Sequence, residues 1–261
     1  MSVKNGEQKV VAVIPARMAA SRFYGKPLAM ILDLPMIEHV RRRVALCNIL
    51  EDVYVATCDE KIVEVVAGFG GKAVMTAVTH ERCTDRVEEA ARTIDADIVV
   101  IVQGDEPLFI PEVINSLVEP MRQDSAVVCT NLLSAIHDPN DLNDPNIVKA
   151  TITHDGDVLY FSRAAIPYPR SPGQSPMYRQ TGLAALRKTF LHEFSRLAQT
   201  PLEMTESIDL LRILEHGFRI RGVIYDQPTI GVDESADIAK VEAVLKKDSR
   251  HRELYQKILR S

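Results

Sequence analysis

The strongest constraint on the fold is an alternation of two patterns along the first half of the chain. Short blocks rich in apolar and β-branched residues alternate with segments in which apolar residues recur at helical spacing. The blocks predict strands at 9–15, 52–57, 72–76, 97–103 and 125–133, and the segments predict helices at 35–47, 60–69, 84–93 and 111–123. Repeated strand-helix-strand units indicate an α/β fold with a mainly parallel sheet, whose strand-following loops meet at one edge.

The pattern changes after about residue 133. Residues 147–153 and 157–162 predict a hairpin around His154-Asp155-Gly156, where the glycine accommodates a positive φ. Residues 166–176 contain four prolines and predict an extended loop beside a site. The later patterns predict an amphipathic helix at 203–216 capped by Gly217, a strand at 218–225 and helices from 235 to the end. The second half is therefore expected to form a smaller region of mixed strands and helices.

Composition narrows the functional classes. The chain has 31 Lys and Arg against 36 Asp and Glu, a formal net charge of −5. This balance argues against broad binding of nucleic acid or anionic membranes, although a local group of cations can still bind a small anion. Because apolar runs stay below the roughly 18 residues of a membrane span and no secretory signal pattern is present, we expect a cytoplasmic protein. Four cysteines without CxxC spacing indicate free thiols rather than zinc ligands.

Chemistry-bearing residues concentrate directly after the first predicted strand. Three cations, Arg17, Arg22 and Lys26, fall within ten residues, together with Ser21 and Gly25. Small residues let backbone amides approach a phosphate, and the cations offset its charge. The segment is neither a Walker A motif nor GxGxxG. It predicts an anion-binding loop, and a solvated cationic loop is the alternative.

A second group of polar residues follows the strand predicted at 97–103. The run Gln103-Gly104-Asp105-Glu106-Pro107 places two carboxylates at the carboxyl edge of the sheet. Carboxylate oxygens suit a hard divalent cation, which usually keeps waters and substrate phosphates as its remaining ligands. The alternative is a turn with solvated carboxylates.

These segments resemble the motifs of the sugar-activating nucleotidyltransferases, in the variant carried by the 3-deoxy-manno-octulosonate cytidylyltransferase (CMP-Kdo synthetase) family. The loop PARMAASRFYGKPL at 15–28 carries the likeness, and matching segments follow in order at 55–57, 80–86, 103–107, 160–167 and 231–233. The resemblance covers residues 10 to about 240. It implies a Rossmann-like sheet of the nucleotide-diphospho-sugar transferase type, with a smaller mixed β/α lobe.

The resemblance also implies a single nucleotidyltransferase domain of residues 1–261, in which different segments have different functions. Residues 9–133 are expected to bind the nucleotide, and 134–230 to bind the acceptor and form a dimer. Residues 231–261 are expected to supply a metal-binding Asp and the C-terminal helices. The expected assembly is a homodimer.

The implied reaction transfers CMP from CTP to the anomeric hydroxyl of a 3-deoxy-2-ulosonic acid, releases pyrophosphate and activates the sugar for lipopolysaccharide or other surface glycan synthesis. The resemblance assigns catalysis to Arg17, Lys26 and Asp105, and Mg²⁺ binding to Asp105 and Asp233. It assigns the remaining nucleotide contacts to Ala16, Ser21, Arg22, Thr57, Thr84, Arg86 and Gln103. Thr84 could instead serve only as a helix N-cap. Arg82 and Cys83 stand where the family usually carries Ser-Gly.

On the acceptor side the resemblance assigns Arg163 to a substrate carboxylate, and Gln180, Glu203 and Glu206 to the sugar. The family's His-Leu-Gly-Ile-Tyr run is Gln180-Thr181-Gly182-Leu183-Ala184 here, so both the His and the Tyr are missing. An 8-amino-octulosonate, a nonulosonate or a phosphonate is therefore an alternative acceptor. A nucleotide-binding module without turnover is the alternative outside the enzyme class.

Overall fold

The computed structural model describes residues 8–19, 23–171, 176–225 and 231–260. The chain divides into two compact units, residues 1–114 with 229–261, and residues 115–228. In chain order the elements are β1 (Val10–Ala16), β2 (Met30–Ile31), β3 (Leu34–Pro35), α1 (Met36–Ala45), β4 (Asp52–Thr57), α2 (Glu60–Gly68), β5 (Lys72–Met75), α3 (Cys83–Ala91), β6 (Ile98–Ile101), α4 (Val113–Gln123), β7 (Cys129–Ala135), α5 (Pro139–Asn143), β8 (Lys149–Ile152), β9 (Val158–Ser162), β10 (Tyr178–Arg187), α6 (Lys188–Phe194), α7 (Pro201–Glu206), α8 (Leu211–Glu215), β11 (Arg221–Ile224), α9 (Asp237–Lys247) and α10 (Ser249–Arg260).

The first unit contains the predicted parallel strands. β1 pairs in parallel with β6 on one side and β4 on the other, and β4 pairs in parallel with β5. Ala16, the last residue of β1, lies opposite Thr57, the last residue of β4. The loops that follow these strands therefore leave the same edge of the sheet, as the alternating pattern predicted. The expectation of an α/β fold with a mainly parallel sheet is confirmed.

Burial explains why these blocks form strands. β6 is buried along its whole length and β1 at all but one residue, as expected for parallel strands covered on both faces. α2 buries a narrow stripe of Ile62 and Val66, at helical spacing, whereas α1 is buried over most of its surface. In α1 the buried apolar residues are Met36, Ile37, Val40 and Val44.

The C-terminal helices belong to the first unit. They pack on the β2–β3 hairpin and α1 through a buried cluster of Ile31, Leu34, Met36, Leu108, Val232, Val241, Leu245, Tyr255 and Ile258. The Tyr255 hydroxyl donates to Asp33 Oδ2 at 2.7 Å, and its ring stacks on His39. Val232 lies within this cluster and next to Asp233, so the same packing brings the C-terminal motif into the first unit.

The second unit has mixed strands. β7 pairs in parallel with β11 and antiparallel with β10, which also pairs with β8. The predicted hairpin is confirmed as β8 and β9, with Gly156 at φ +87° in its turn. The structure groups residues 115–133 with this unit. The expected functional boundary near residue 133 stays a prediction.

Two local predictions are wrong. The single helix expected at 203–216 is broken into α7 and α8, because Ser207 adopts a left-handed conformation (φ +55°) that ends α7. Gly217, at φ +81°, follows the end of α8 as expected. Thr84 is the second residue of α3 and not its N-cap, which is Arg82.

The described part of the chain contains neither a membrane-spanning helix nor a cluster of metal-ligating side chains. No helix there has both the length and the apolar character needed to cross a membrane. The same residues contain no group of three or more His, Cys, Asp or Glu arranged to hold a metal ion. None of the four cysteines forms a disulfide in the described structure.

Candidate active site

Two hydrogen bonds hold the backbone of Met18 in the loop after β1. Gly25 N donates to Met18 O at 2.9 Å, and Met18 N donates to Asp59 Oδ2 at 2.8 Å. Gly25 has φ +75°, a conformation that favours glycine. Arg17 precedes Met18 and is exposed, whereas Ala16 is buried at the end of β1. Of the predicted loop residues, Ser21 and Arg22 lie outside the described residues.

Lys26 joins three loops. Its Nζ donates to Asp105 Oδ2 at 2.7 Å and to Val232 O at 2.9 Å, and its side chain is 15% exposed. Lys26 comes from the loop after β1, Asp105 follows β6, and Val232 precedes α9. The structure therefore brings two of the predicted catalytic residues into direct contact, beside the backbone of the predicted metal-binding segment.

The two predicted metal-binding segments are joined through their backbones. Val232 N donates to Asp105 O at 2.9 Å. A Cβ on Gly104 would lie 3.1 Å from Pro15 O, so glycine allows the loop after β6 to approach the end of β1 closely. Asp105 is 37% exposed at its side chain, and Asp233 is exposed. Two accessible carboxylates on adjoining loops form a donor set suited to Mg²⁺.

Asp237 shapes the segment that carries Asp233. Its Oδ2 accepts hydrogen bonds from the backbone N of Asp233 and of Glu234, both at 3.0 Å, and its Oδ1 accepts one from Lys240. The hydrogen bond from Lys240 and those two backbone donors lower the pKa of Asp237 to about 2. The carboxylate is therefore ionised at neutral pH, and it holds the loop at the start of α9.

The residues predicted near the nucleobase are partly brought together. Gln103 is half-buried, and its Nε2 donates to Cys83 Sγ at 3.7 Å. Cys83 is the first residue of α3 and is followed by the buried Thr84. The contact joins the loop after β6 to the start of α3. An amide held there can both donate to and accept from a base.

Thr57 and Arg86 are buried residues with structural partners. Thr57 Oγ1 accepts from Asp59 N at 3.1 Å at the end of β4. The Arg86 guanidinium donates to Thr76 Oγ1 and to Ala77 O, which fixes the segment after β5. Their predicted nucleotide contacts stay predictions.

In the second unit, Arg163 and Glu206 form one cluster. Arg163 N donates to Glu206 Oε2 at 2.9 Å, and Arg163 Nε donates to the Glu206 backbone carbonyl at 2.6 Å. Ser162 and Tyr160 donate to Glu206 Oε1 at 2.7 and 3.3 Å. Burial alone would raise the pKa of the Glu206 carboxyl, but the hydrogen bonds from these three residues hold it below its ordinary value. The cluster combines a fixed guanidinium with an ionised carboxylate.

Glu203, on the same helix as Glu206, is not part of the Arg163–Glu206 cluster. It is fully buried, and its Oε2 accepts from Arg212 Nε at 2.8 Å. Its Oε2 also accepts from Thr200 N at 3.3 Å at the start of α7. The expected contact of Glu203 with a substrate hydroxyl is therefore not supported by its position, because the carboxylate stabilises the helix start and neutralises a buried arginine.

The run that departs from the family motif coincides with an irregularity in β10. The register against β7 shifts between Gln180, opposite Leu133, and Ala184, opposite Asn131. Asn131 Nδ2 donates to Thr181 O at 3.3 Å and to Leu183 O at 2.8 Å. These hydrogen bonds satisfy backbone carbonyls of β10 where its register against β7 is interrupted. Gln180 is half-buried, and Ala184 is buried. The altered residues thus sit on a distorted strand.

Sequence reasoning missed Asp59, Asp237 and Asn131. Each holds backbone of a predicted functional segment through its side chain. For Asp59 and Asn131 the contact spans 41 and 52 positions of the chain, so no local pattern could reveal it. Asp237 lies four residues after Asp233 at the start of the predicted C-terminal helices, and an Asp near a helix start was an available signal.

Comparison with known proteins gives consistent relatives. The family model described as cytidylyltransferase matches residues 11–220. A 3-deoxy-manno-octulosonate cytidylyltransferase of Geobacter metallireducens is 44% identical over 244 residues, which cover 89% of this chain and 96% of the relative. The enzyme of that name from Syntrophotalea carbinolica is 43% identical and covers 91% and 98% of the two chains.

A solved structure agrees with these relatives. It is a CMP:2-keto-3-deoxy-manno-octonic acid synthetase complexed with CTP, and it is 38% identical to this chain. The match has a TM-score of 0.88 and covers 92% of this chain and 99% of that one.

Proposed function

Since the chain belongs to the cytidylyltransferase family, we propose that it transfers CMP from CTP to the anomeric hydroxyl of a 3-deoxy-2-ulosonic acid and releases pyrophosphate. 3-Deoxy-manno-octulosonate (Kdo) is the first acceptor that we propose, because relatives above 40% identity carry that name. The observation that carries the proposal is the contact of Lys26 with Asp105 and with the Val232 carbonyl. It joins three segments whose sequences match the family's motifs.

The chemistry needs positioning more than covalent participation by the protein. The acceptor hydroxyl attacks the α-phosphorus, and the bond from the α-phosphorus to pyrophosphate breaks. Charge on the transferring group and on the leaving pyrophosphate must be offset, which fixed cations achieve. In the proposal Arg17, Arg22 and Lys26 orient the triphosphate oxygens. Lys26 is suited to this because Val232 O already holds its ammonium at the sheet edge.

We further propose that Asp105 and Asp233 hold Mg²⁺. The support is their accessible carboxylates on segments joined by the Val232 N to Asp105 O hydrogen bond. When bound, the ion offsets charge on the α-phosphate and the leaving group. The chain's own contribution is to hold the Lys26 ammonium against the Asp105 carboxylate and to join the segment that carries Asp233 to the Asp105 backbone.

On the acceptor side we propose that Arg163 binds the sugar carboxylate and that Glu206 accepts from a sugar hydroxyl. The support is the fixed position of Arg163, whose Nε and Nη1 donate to backbone carbonyls, and the lowered pKa of Glu206. A differently substituted acceptor is a second candidate, because the run 180–184 lacks the family's His and Tyr and lies where β10 is distorted.

The test is pyrophosphate release by the purified full chain. CTP would be supplied with Mg²⁺ and, separately, Kdo, 8-amino-octulosonate, a nonulosonate and a phosphonate. We expect release that requires an acceptor, stops on chelation with EDTA and returns when Mg²⁺ is added. UTP in place of CTP is the control for the base. Tight CTP binding without release for any acceptor would contradict the transferase and favour a nucleotide-binding module.

The remaining proposals concern assembly and location. We propose a homodimer that acts in the cytoplasm and supplies activated sugar for lipopolysaccharide or other surface glycan synthesis. The support is family membership. Sedimentation equilibrium at micromolar concentration tests the assembly, and a monomer across that range would contradict it. Cell fractionation tests the location.

A further inference from the structure

Asp59 occupies an unusual position for its side chain. It is the N-cap residue of α2, and its backbone carbonyl accepts from Ile62 N and Val63 N at 3.0 and 3.3 Å. An Asp at this position usually accepts a hydrogen bond from its own helix through its carboxylate, which stabilises the helix by about 1 kcal/mol. The Asp59 side chain makes no such cap. Its carboxylate therefore serves another contact.

Besides accepting from Cys58 Sγ at 3.7 Å, the Asp59 carboxylate contacts the loop after β1. Asp59 Oδ2 accepts from Met18 N at 2.8 Å, across 41 positions of the chain. The pairing of Ala16 with Thr57 places the ends of β1 and β4 side by side, so the two loops start as neighbours. Thr57 Oγ1 in turn accepts from Asp59 N at 3.1 Å, which orients Asp59 itself. The end of β4 thus supplies a fixed acceptor for the loop.

Met18 is held at both ends of its backbone. Its N–H bonds to Asp59, and its carbonyl accepts from Gly25 N at 2.9 Å, the contact that closes the loop. Arg17 lies one residue before this point and Lys26 one residue after Gly25. The two hydrogen bonds therefore fix the backbone next to Arg17 and next to Lys26.

The negative charge of Asp59 is unexpected beside a loop proposed to bind a triphosphate. A carboxylate beside a loop that binds a triphosphate repels that ligand. A neutral acceptor would avoid the repulsion, so the carboxylate needs a compensating benefit. A charge-assisted hydrogen bond to a backbone N–H is stronger than a neutral one. The benefit is that the carboxylate holds the Met18 backbone more firmly in place.

We propose that Asp59 is a positioning residue for nucleotide binding, which fixes Met18 and through it the spacing of Arg17 and Lys26. This inference rests on the proposed function, because it takes the loop after β1 to bind the triphosphate of CTP. Asp59 acts through the loop and does not touch the reacting atoms.

Four variants separate positioning from helix capping. Asp59→Ala removes the contact with Met18 N. Asp59→Ser supplies α2 with a side-chain N-cap that Asp59 itself does not make, but the serine side chain is too short to reach Met18 N. Asp59→Asn keeps the length and an acceptor oxygen without the charge. Glu60→Ala removes a neighbouring, exposed carboxylate at the same helix end and is the matched control.

We expect the KM for CTP to rise roughly tenfold in Asp59→Ala and Asp59→Ser, the effect of losing one hydrogen bond, while kcat changes less than about twofold. Asp59→Asn should stay within about threefold of wild type, and Glu60→Ala should match it. The thermal midpoint should fall in Asp59→Ala and recover in Asp59→Ser. A wild-type KM in Asp59→Ser would overturn the proposal, as would an Asp59→Asn variant as impaired as Asp59→Ala.

Amide hydrogen exchange distinguishes this inference from the proposed function. Exchange at Met18 should accelerate in Asp59→Ala and Asp59→Ser but not in Glu60→Ala, whether or not the wild type turns over. If the wild type releases no pyrophosphate but the exchange rate at Met18 still rises in these variants, the proposed function is wrong. The inference that Asp59 fixes Met18 is then still supported. Unchanged exchange at Met18 in Asp59→Ala would overturn the anchor itself.

Discussion

The two compact units hold their motif residues in different ways. In the first unit, side chains far apart in the sequence bind the backbone of the functional loops, as Lys26 does to Val232 O and Asp59 does to Met18 N. In the second unit, Arg163 and Glu206 are also far apart in the sequence, but they bind each other's backbone as a reciprocal pair, and the run 180–184 lies on a distorted strand.

The difference teaches where variation is tolerated. Loops tied to one another by several long-range contacts cannot change one residue without moving the others. The run 180–184 is held by strand pairing and by the buried side chains of Asn131 and Thr181, within its own part of the sheet, so it can change residues with less effect on the rest of its unit. The motifs at 15–28, 103–107 and 231–233 lie in the first kind of region, and the departure at 180–184 lies in the second.

The largest effect should come from removing the Asp105 carboxylate. Asp105→Ala should lower kcat at least about a thousandfold, since charge stabilisation of the transferring group is the main catalytic contribution. Stability should change by less than about 1 kcal/mol, because the Lys26–Asp105 pair is partly exposed. Steady-state kinetics and urea unfolding measure both. Asp155→Ala, in the exposed hairpin turn, is the control, and a near-normal kcat in Asp105→Ala would refute the assignment.

Glu203→Gln should have the opposite effect to Asp105→Ala: a large loss of stability and little change in kcat. Removing one partner of the buried Glu203–Arg212 pair leaves an uncompensated charge and should cost about 3 kcal/mol or more of unfolding free energy. Under conditions where the variant is folded, kcat and KM should stay near those of wild type. The double variant Glu203→Gln/Arg212→Met should recover part of the stability. A raised KM for the acceptor in a stable Glu203→Gln protein would instead indicate that Glu203 contacts the substrate.

The run 180–184 tests whether the second unit sets acceptor choice. Gln180→His combined with Ala184→Tyr restores the family's residues and should change the ratio of kcat/KM between Kdo and the alternative acceptors by about tenfold, the size of one polar contact. The KM for CTP should not move. If the ratio stays constant while the protein folds normally, these positions do not determine specificity.

The smallest effect concerns Asp237. Because its pKa is lowered to about 2 in the folded protein, its stabilising contribution is present above the unfolded pKa near 4 and is lost as the pH falls through about 2. Asp237→Asn should therefore lower stability at pH 7, by less than about 1 kcal/mol, and have a smaller effect at pH 2, where about half of the Asp237 carboxyl groups are protonated. Unfolding curves at the two pH values measure this, with Lys240→Met as the partner variant. An equal loss at both pH values would contradict the ionic role.

Much of the nucleotide side could be predicted because its signals are local. Strand and helix periodicity placed β1, β4 and β6 with only small errors at their ends, and parallel order then required their following loops to share an edge. The same logic predicted that the loop carrying Lys26 and the loop carrying Asp105 would meet. Their 2.7 Å contact agrees with that expectation.

The acceptor side was harder to predict because its decisive features are not local. The pattern at 203–216 is compatible with one helix, and only the left-handed Ser207 divides it. An acidic residue such as Glu203 has the same appearance in the sequence whether it is exposed or, as here, buried against Arg212. The irregularity of β10 depends on pairing with β7, which lies more than 40 residues away.

The sequence by itself determined the α/β class, the motif order and the identity of the charged residues, because these depend on periodicity and residue type along short stretches. Only the tertiary structure decided which of those residues act on a neighbouring loop, as Asp59 and Asp237 do, and which neutralise a buried partner, as Glu203 does. The physical reason is that a side chain's role depends on burial and on partners, and both are set when distant segments pack together.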